Sequence, residues 1–173
     1  MNEVLFLKKL FFVLLCTFLL VGCSKTVNEA KEVQEEQHNH EKPSFMKGDI
    51  REKTDSIATL PNFLSNHSES IVTIYQAAAN YEHVLEYIPC YCGCGTSVGH
   101  RNSYECFVHE NNEDGSIVWD DHGTRCGVCL ETAALSINEY NNGTPLLEIR
   151  EMIDNMYKEG FAKPTNTPMP PAN

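Results

Sequence analysis

The chain has 173 residues, a formal net charge of −11, 42% hydrophobic residues and eight cysteines. So acidic a surface repels nucleic acid and anionic headgroups, which excludes both as partners, while it tolerates cations.

The N-terminus reads as a targeting segment. Lys8 and Lys9 precede an apolar run from Leu10 to Val21 that stops at Gly22-Cys23. That run falls short of the ~20 apolar residues of a transmembrane helix and suits the apolar region of a secretory signal. Leu20-Val21-Gly22-Cys23 resembles the bacterial lipoprotein signal, which implies residues 1–22 as signal peptide and Cys23 as the lipidated, palmitate-bearing first residue of the mature protein. Cys16 leaves with the signal. Removal of Glu3, Lys8 and Lys9 takes the mature charge to −12, so membrane attachment rests on the lipid and not on a basic patch.

Residues 23–53 are charged, polar and poor in large apolar side chains, and read as a disordered acidic tether. Within it, Gln37-His38-Asn39-His40-Glu41 reads as solvated linker, with a weak metal-capture site as the sharper alternative. The folded domain is expected over 54–162. Leu60-Pro61-Asn62-Phe63-Leu64 looks like a lead-in that packs on the core, and Asn66-His67-Ser68-Glu69 has the capping-box form. Ile71, Ile74, Tyr75, Ala78, Tyr81, Leu85 and Ile88 then fall on one helical face, and Pro89 ends that helix.

The β-prone runs Glu105–His109 and Ser116–Asp120, joined by a loop rich in Asn, Asp and Gly, predict a hairpin. A helix starting near Cys126 carries Leu130, Ala133, Ala134 and Ile137 and stops at Asn141-Asn142-Gly143. The next opens at Thr144-Pro145 and carries Leu146, Ile149, Ile153, Met156 and Tyr157. The fold class is therefore mainly α: a small domain of about three helices with a short hairpin, organised around a cysteine-rich metal site. Residues 163–173 read as an extended, exposed proline-rich tail.

The chemistry concentrates between residues 90 and 129. Cys90, Cys92 and Cys94 alternate with Tyr91 and Gly93; Cys106 opens the hairpin; Cys126 and Cys129 sit one turn apart at a helix N-terminus. Thiols this close make poor disulfides, whose Cα atoms lie about 4.4–6.8 Å apart at a specific torsion, but good ligands for a soft cation. Free N–H groups at the helix start favour thiolate at Cys126 and Cys129. His100 follows Gly99 and His122 precedes Gly123, inside the cysteine-dense stretch; Asp120 or Asp121 is a candidate acceptor for the second imidazole proton. His67, His83 and His109 read as ordinary surface or core histidines.

Six thiolates and two imidazoles suffice for two tetrahedral zinc sites. Closely spaced thiolates also suit bridging, which favours a low-coordinate monovalent ion such as Cu(I). No nucleophile, base or oxyanion-hole pattern stands apart from the cluster, so no catalytic role is expected.

Pro89-Cys90-Tyr91-Cys92-Gly93-Cys94 resembles the signature of the PCYCGC-motif proteins, exported bacterial lipoproteins found mainly in Gram-positive lineages. The likeness extends over Gly99-His100, Cys106-Phe107-Val108, His122–Cys129, Ile149-Arg150 and Lys163–Pro170. It implies export, lipidation and a shared fold, but not a metal. In this light the tail has a second reading, as a segment that packs over the cluster or engages a partner.

The expectation is an extracytoplasmic protein, lipid-anchored to the outer face of the cytoplasmic membrane. It binds a soft metal, Cu(I) before zinc, through Cys90, Cys92, Cys94, Cys106, Cys126 and Cys129 with His100 and His122. Its role would be sequestration, or hand-over from a donor or to an acceptor protein. The alternatives are a structural zinc module that mediates protein interaction and a thiol–disulfide oxidoreductase using Cys126 and Cys129.

Overall fold

The structure is a computed structural model that describes residues 48–171. The expected signal peptide, Cys23 and the tether as far as residue 47 lie outside the described residues. Among the described residues no helix is long and apolar enough to cross a membrane.

A three-stranded antiparallel sheet carries one side of the domain, in the order β1–β3–β2, with β1 at Arg51–Thr54, β2 at Val108–Asn111 and β3 at Ile117–Asp120. The β2–β3 hairpin is the one expected, with its first strand displaced toward the turn. Ladder register runs from Val108 opposite Trp119 to Asn111 opposite Ile117, with an irregularity between Val108 and Glu110. Strand β1 was not expected. Arg51–Lys53 fall within the segment read as tether, yet they pair with Val118–Asp120. Their alternation of charged residues lacks the apolar face by which a strand announces itself, because β1 is an edge strand with only Thr54 buried. Trp119 holds it from beneath, its buried Nε1 donating to Thr54 Oγ1 at 2.8 Å.

Among the described residues there are three longer helices: α1 (Glu69–Asn80) and α4 (Gly127–Asn141), which pack on each other and share a core with the sheet, and α5 (Leu146–Met156), which packs on α4. Two single turns, α2 (Glu82–Leu85) and α3 (Gly95–Val98), lie between α1 and the hairpin. The long helix expected to run to Ile88 instead breaks at Tyr81, whose backbone leaves helical space while the Asn80 amide bonds back to Gln76 O. A second stop, at the end of α2 after Leu85, separates two residues that a continuous helix would keep on one face. Leu85 joins the core formed by Tyr75, Phe107, Trp119 and Ala133, and Ile88 joins a second core with Tyr91, Ile149, Ile153 and Tyr157. The expected capping box does not form either. Asn66 closes a 3-10 turn (Asn62–Asn66), Ser68 takes the cap position, and its hydroxyl pairs with Ser70 instead of a backbone N–H.

The lead-in packs as expected, Leu64 buried and Phe63 edge-on to Tyr75. The tail is extended but anchored, which corrects the reading of it as simply exposed. Thr167 and Pro170 are buried, and the buried Arg150 guanidinium donates to Tyr87 O and Pro168 O. Loss of the tail would take the Pro168 acceptor from a buried guanidinium N–H, at a cost of ~1–3 kcal/mol, so the tail belongs to the folded unit.

Candidate metal centre

The first wall of the centre is the loop Pro89–Gly95. Its backbone is clamped by the tail: Cys90 N donates to Thr165 Oγ1 at 2.9 Å, and Thr165 N donates to Cys90 O at 3.1 Å. The glycines make this approach possible. Gly93 has φ +81°, and a Cβ on Gly95 would stand 2.8 Å from Thr165 Cγ2 and 3.4 Å from Cys90 Sγ. Bent in this way, the loop aims its sulfurs inward. Cys90 Sγ lies 3.1 Å from Cys92 Sγ, and Cys94 N donates to Cys92 Sγ at 3.3 Å.

The second wall is the start of α4, with Cys126 in the cap position and Cys129 in the first turn. Cys106 closes the floor from a 3-10 turn (Tyr104–Cys106), fully buried and 4.0 Å from Cys90 Sγ. That separation matches two sulfurs on one ion, since zinc–sulfur bonds of about 2.3 Å imply tetrahedral edges of about 3.8 Å. All six thiols are free.

The sulfurs share protons unequally. Cys92 is lowered to about 4, first by Cys126 and Cys129 and also by His122, which hydrogen-bond its thiolate. Cys106 is lowered to about 7 by Cys129 and Cys90 against the cost of complete burial. Cys129, the donor to its neighbours, is raised; Cys94 is pushed up to about 11 by burial and the adjacent Cys92 charge. The shift toward thiolate expected at Cys129 therefore falls on Cys92. A sulfur that receives several hydrogen bonds outweighs the field of a helix end.

His122 stands in the 3-10 turn Asp121–Arg125, its backbone N–H capped by Asp120 Oδ1 at 3.0 Å. Its Nε2 faces Cys92 Sγ at 3.7 Å and its Nδ1 lies 3.0 Å from Asp49 Oδ1. Desolvation opposes the charged ring, but Cys92 and Asp49 prevail and raise its pKa to about 9. The acceptor of the second imidazole proton is thus Asp49, not Asp120 or Asp121. Arg125 fixes this carboxylate in turn, bridging Asp49 Oδ1 at 2.6 Å and Asp121 Oδ1 at 2.7 Å. Asp49 is the site residue that sequence reasoning missed. It precedes β1 by two positions and carries no motif of its own.

His100 follows the left-handed Gly99 at the end of α3 and packs edge-on against His122, ring centroids 4.8 Å apart. Burial lowers its affinity for a proton, but Asp120 and Asp49 outweigh that and raise it.

Five of the six cysteines and both histidines singled out from the sequence therefore converge. Donor atoms lie within 4.8 Å of one another in the sets Cys90–Cys92–Cys129, Cys92–Cys94–His122 and His100–Cys106–His122. Cys126 enters none of these sets; it packs half-buried beside them, against the core that holds Cys90, Cys106 and Cys129. His83 instead stacks on Tyr81 and meets Tyr140 edge-on, while His67 and His109 are exposed.

Fold and site together define a small α+β domain whose cysteine and histidine side chains are positioned to hold a metal ion. Residues 12–170 match the family described as "Protein of unknown function with PCYCGC motif", and the chain belongs to that family. No curated protein and no solved structure matches it.

Proposed function

We propose that this domain binds Cu(I) in a thiolate cluster outside the cytoplasmic membrane, tethered by a lipid on Cys23, and stores the ion or hands it to a partner protein. The observation that carries this reading is Cys92. Its sulfur belongs both to the set with Cys90 and Cys129 and to the set with Cys94 and His122. A sulfur shared between two ions suits a low-coordinate monovalent soft cation, whereas two mononuclear tetrahedral zinc sites would each need four donors of their own. Charge supports the same reading, since each bound cation offsets a thiolate in a domain that is already acidic. Export and lipidation rest on the N-terminal residues 8–23.

The test is elemental analysis and thiol titration of the mature chain, residues 23–173, purified anaerobically and offered Cu(I) and Zn²⁺ in competition. Copper uptake that protects the thiols from alkylation is the expected result. Tightly held zinc with no uptake of Cu(I) overturns it. So does turnover of a disulfide substrate that disappears in Cys126→Ser and persists in Cys92→Ser.

A further inference from the structure

Beside the sulfurs lies a second donor set, Asp49, His100 and Asp120, whose ligating atoms fall within 4.8 Å of one another. All three side chains are nearly sealed from solvent, at 4%, 2% and 0% exposure. Neither ring nitrogen of His100 has a hydrogen-bond partner, and Asp49 Oδ2 has none. Buried polar atoms in this condition are rare and point to something absent between them.

The distances indicate what. His100 Nε2 stands 3.5 Å from Asp49 Oδ2 and 3.6 Å from Asp120 Oδ2. An N–H···O bond spans about 2.7–3.2 Å, so both contacts are too long. A small cation with N and O ligands at about 2.0–2.2 Å instead sets tetrahedral donor–donor edges of about 3.3–3.6 Å.

The remaining oxygens are occupied elsewhere, which leaves these three atoms as the ones offered. Asp49 Oδ1 accepts from Arg125 and pairs with His122 Nδ1; Asp120 Oδ1 accepts the His122 N–H. Asp120 Oδ2 also receives Arg51 Nε at 3.2 Å, but that side chain is 40% exposed and has solvent to retreat into.

We propose that Asp49, His100 and Asp120 bind a borderline divalent cation of the zinc type, at a site adjacent to the sulfur cluster and chemically distinct from it. One imidazole and two carboxylates discriminate against Cu(I) and accept a divalent ion, whose charge balances the two buried carboxylates. His122 joins the two sites, with Nδ1 on Asp49 and Nε2 toward Cys92. An ion at the oxygen site therefore fixes the carboxylate that orients a donor of the sulfur site. The inference does not depend on which metal the thiolates take.

Cobalt(II) is the probe. Cobalt on thiolate shows an intense sulfur-to-metal charge-transfer band, and cobalt on N and O donors shows only weak d–d absorption. Titration of the mature chain should reveal an equivalent of cobalt without charge-transfer intensity. It should bind at least roughly tenfold more weakly in Asp49→Asn and persist in Cys92→Ser. If all bound cobalt carries the charge-transfer band, or the sulfur-free equivalent is unchanged in Asp49→Asn, the proposal is overturned. Should Asp49→Asn fail to fold, as judged by circular dichroism, the wild-type spectrum alone decides. Cu(I) uptake is read separately, so either site can fail without the other.

Discussion

The sulfur wall and the carboxylate–imidazole face meet at His122 but are assembled in opposite ways. The wall draws on two short runs, Cys90–Cys94 and Cys126–Cys129, with Cys106 between them. The face draws on Asp49, His100 and Asp120, which β1, the end of α3 and β3 bring together. Soft ligands crowded in sequence can be gathered by one bend of backbone. Hard ligands spread across the chain have to be delivered by a folded sheet, so they are held rigidly and are invisible without it.

The largest expected effect comes from Cys92→Ser. Because this sulfur belongs to two donor sets, its loss should weaken Cu(I) binding roughly a hundredfold or more, beyond the range for removing an outer-shell partner. Competition with a Cu(I) chelator measures it, and retention of wild-type affinity would place the cluster elsewhere. Gly95→Ala comes next. The added methyl meets Thr165 at 2.8 Å and should cost about 1–3 kcal/mol of stability in urea denaturation. It should disturb the sulfur wall, so an undiminished unfolding midpoint would show that the tail does not clamp the loop.

His122→Gln probes the junction. Cu(I) affinity is expected to fall about tenfold, because five buried or half-buried thiols remain while one donor and its Asp49 brace are lost. Equal losses in Cu(I) and cobalt affinity would mean that the two sites act as one. The smallest effect belongs to Cys94→Ser, expected to change Cu(I) affinity only a few-fold (about 1 kcal/mol or less). Its thiol is exposed, its proton is held up to about 11, and it enters a single donor set. A loss as great as that of Cys92→Ser would make the sulfur wall a set of equals.

Much of this architecture was legible beforehand. Apolar spacing located α1, α4 and α5, the Asn-, Asp- and Gly-rich loop Glu110–Gly115 located the hairpin, and the density of thiols located the centre. What could not be read has particular causes. Strand β1 is an edge strand of mostly charged residues, which looks like linker. The break at Tyr81 leaves the periodicity on both sides intact. The tail has no helix or strand pattern, and it is held by Thr165, Thr167 and Arg150 through hydrogen bonds to distant backbone.

The sequence by itself determined the soft half of the centre, because thiols at one- and two-residue intervals can do little else than face one another. Tertiary structure alone decided three things: which thiol is pushed furthest toward thiolate, which carboxylate braces His122, and that a buried carboxylate–imidazole set adjoins the cluster. Each depends on desolvation and on distances of a few ångströms between residues tens of positions apart. Those quantities exist only once β1 has paired with β3 and closed Asp49 over the two histidines.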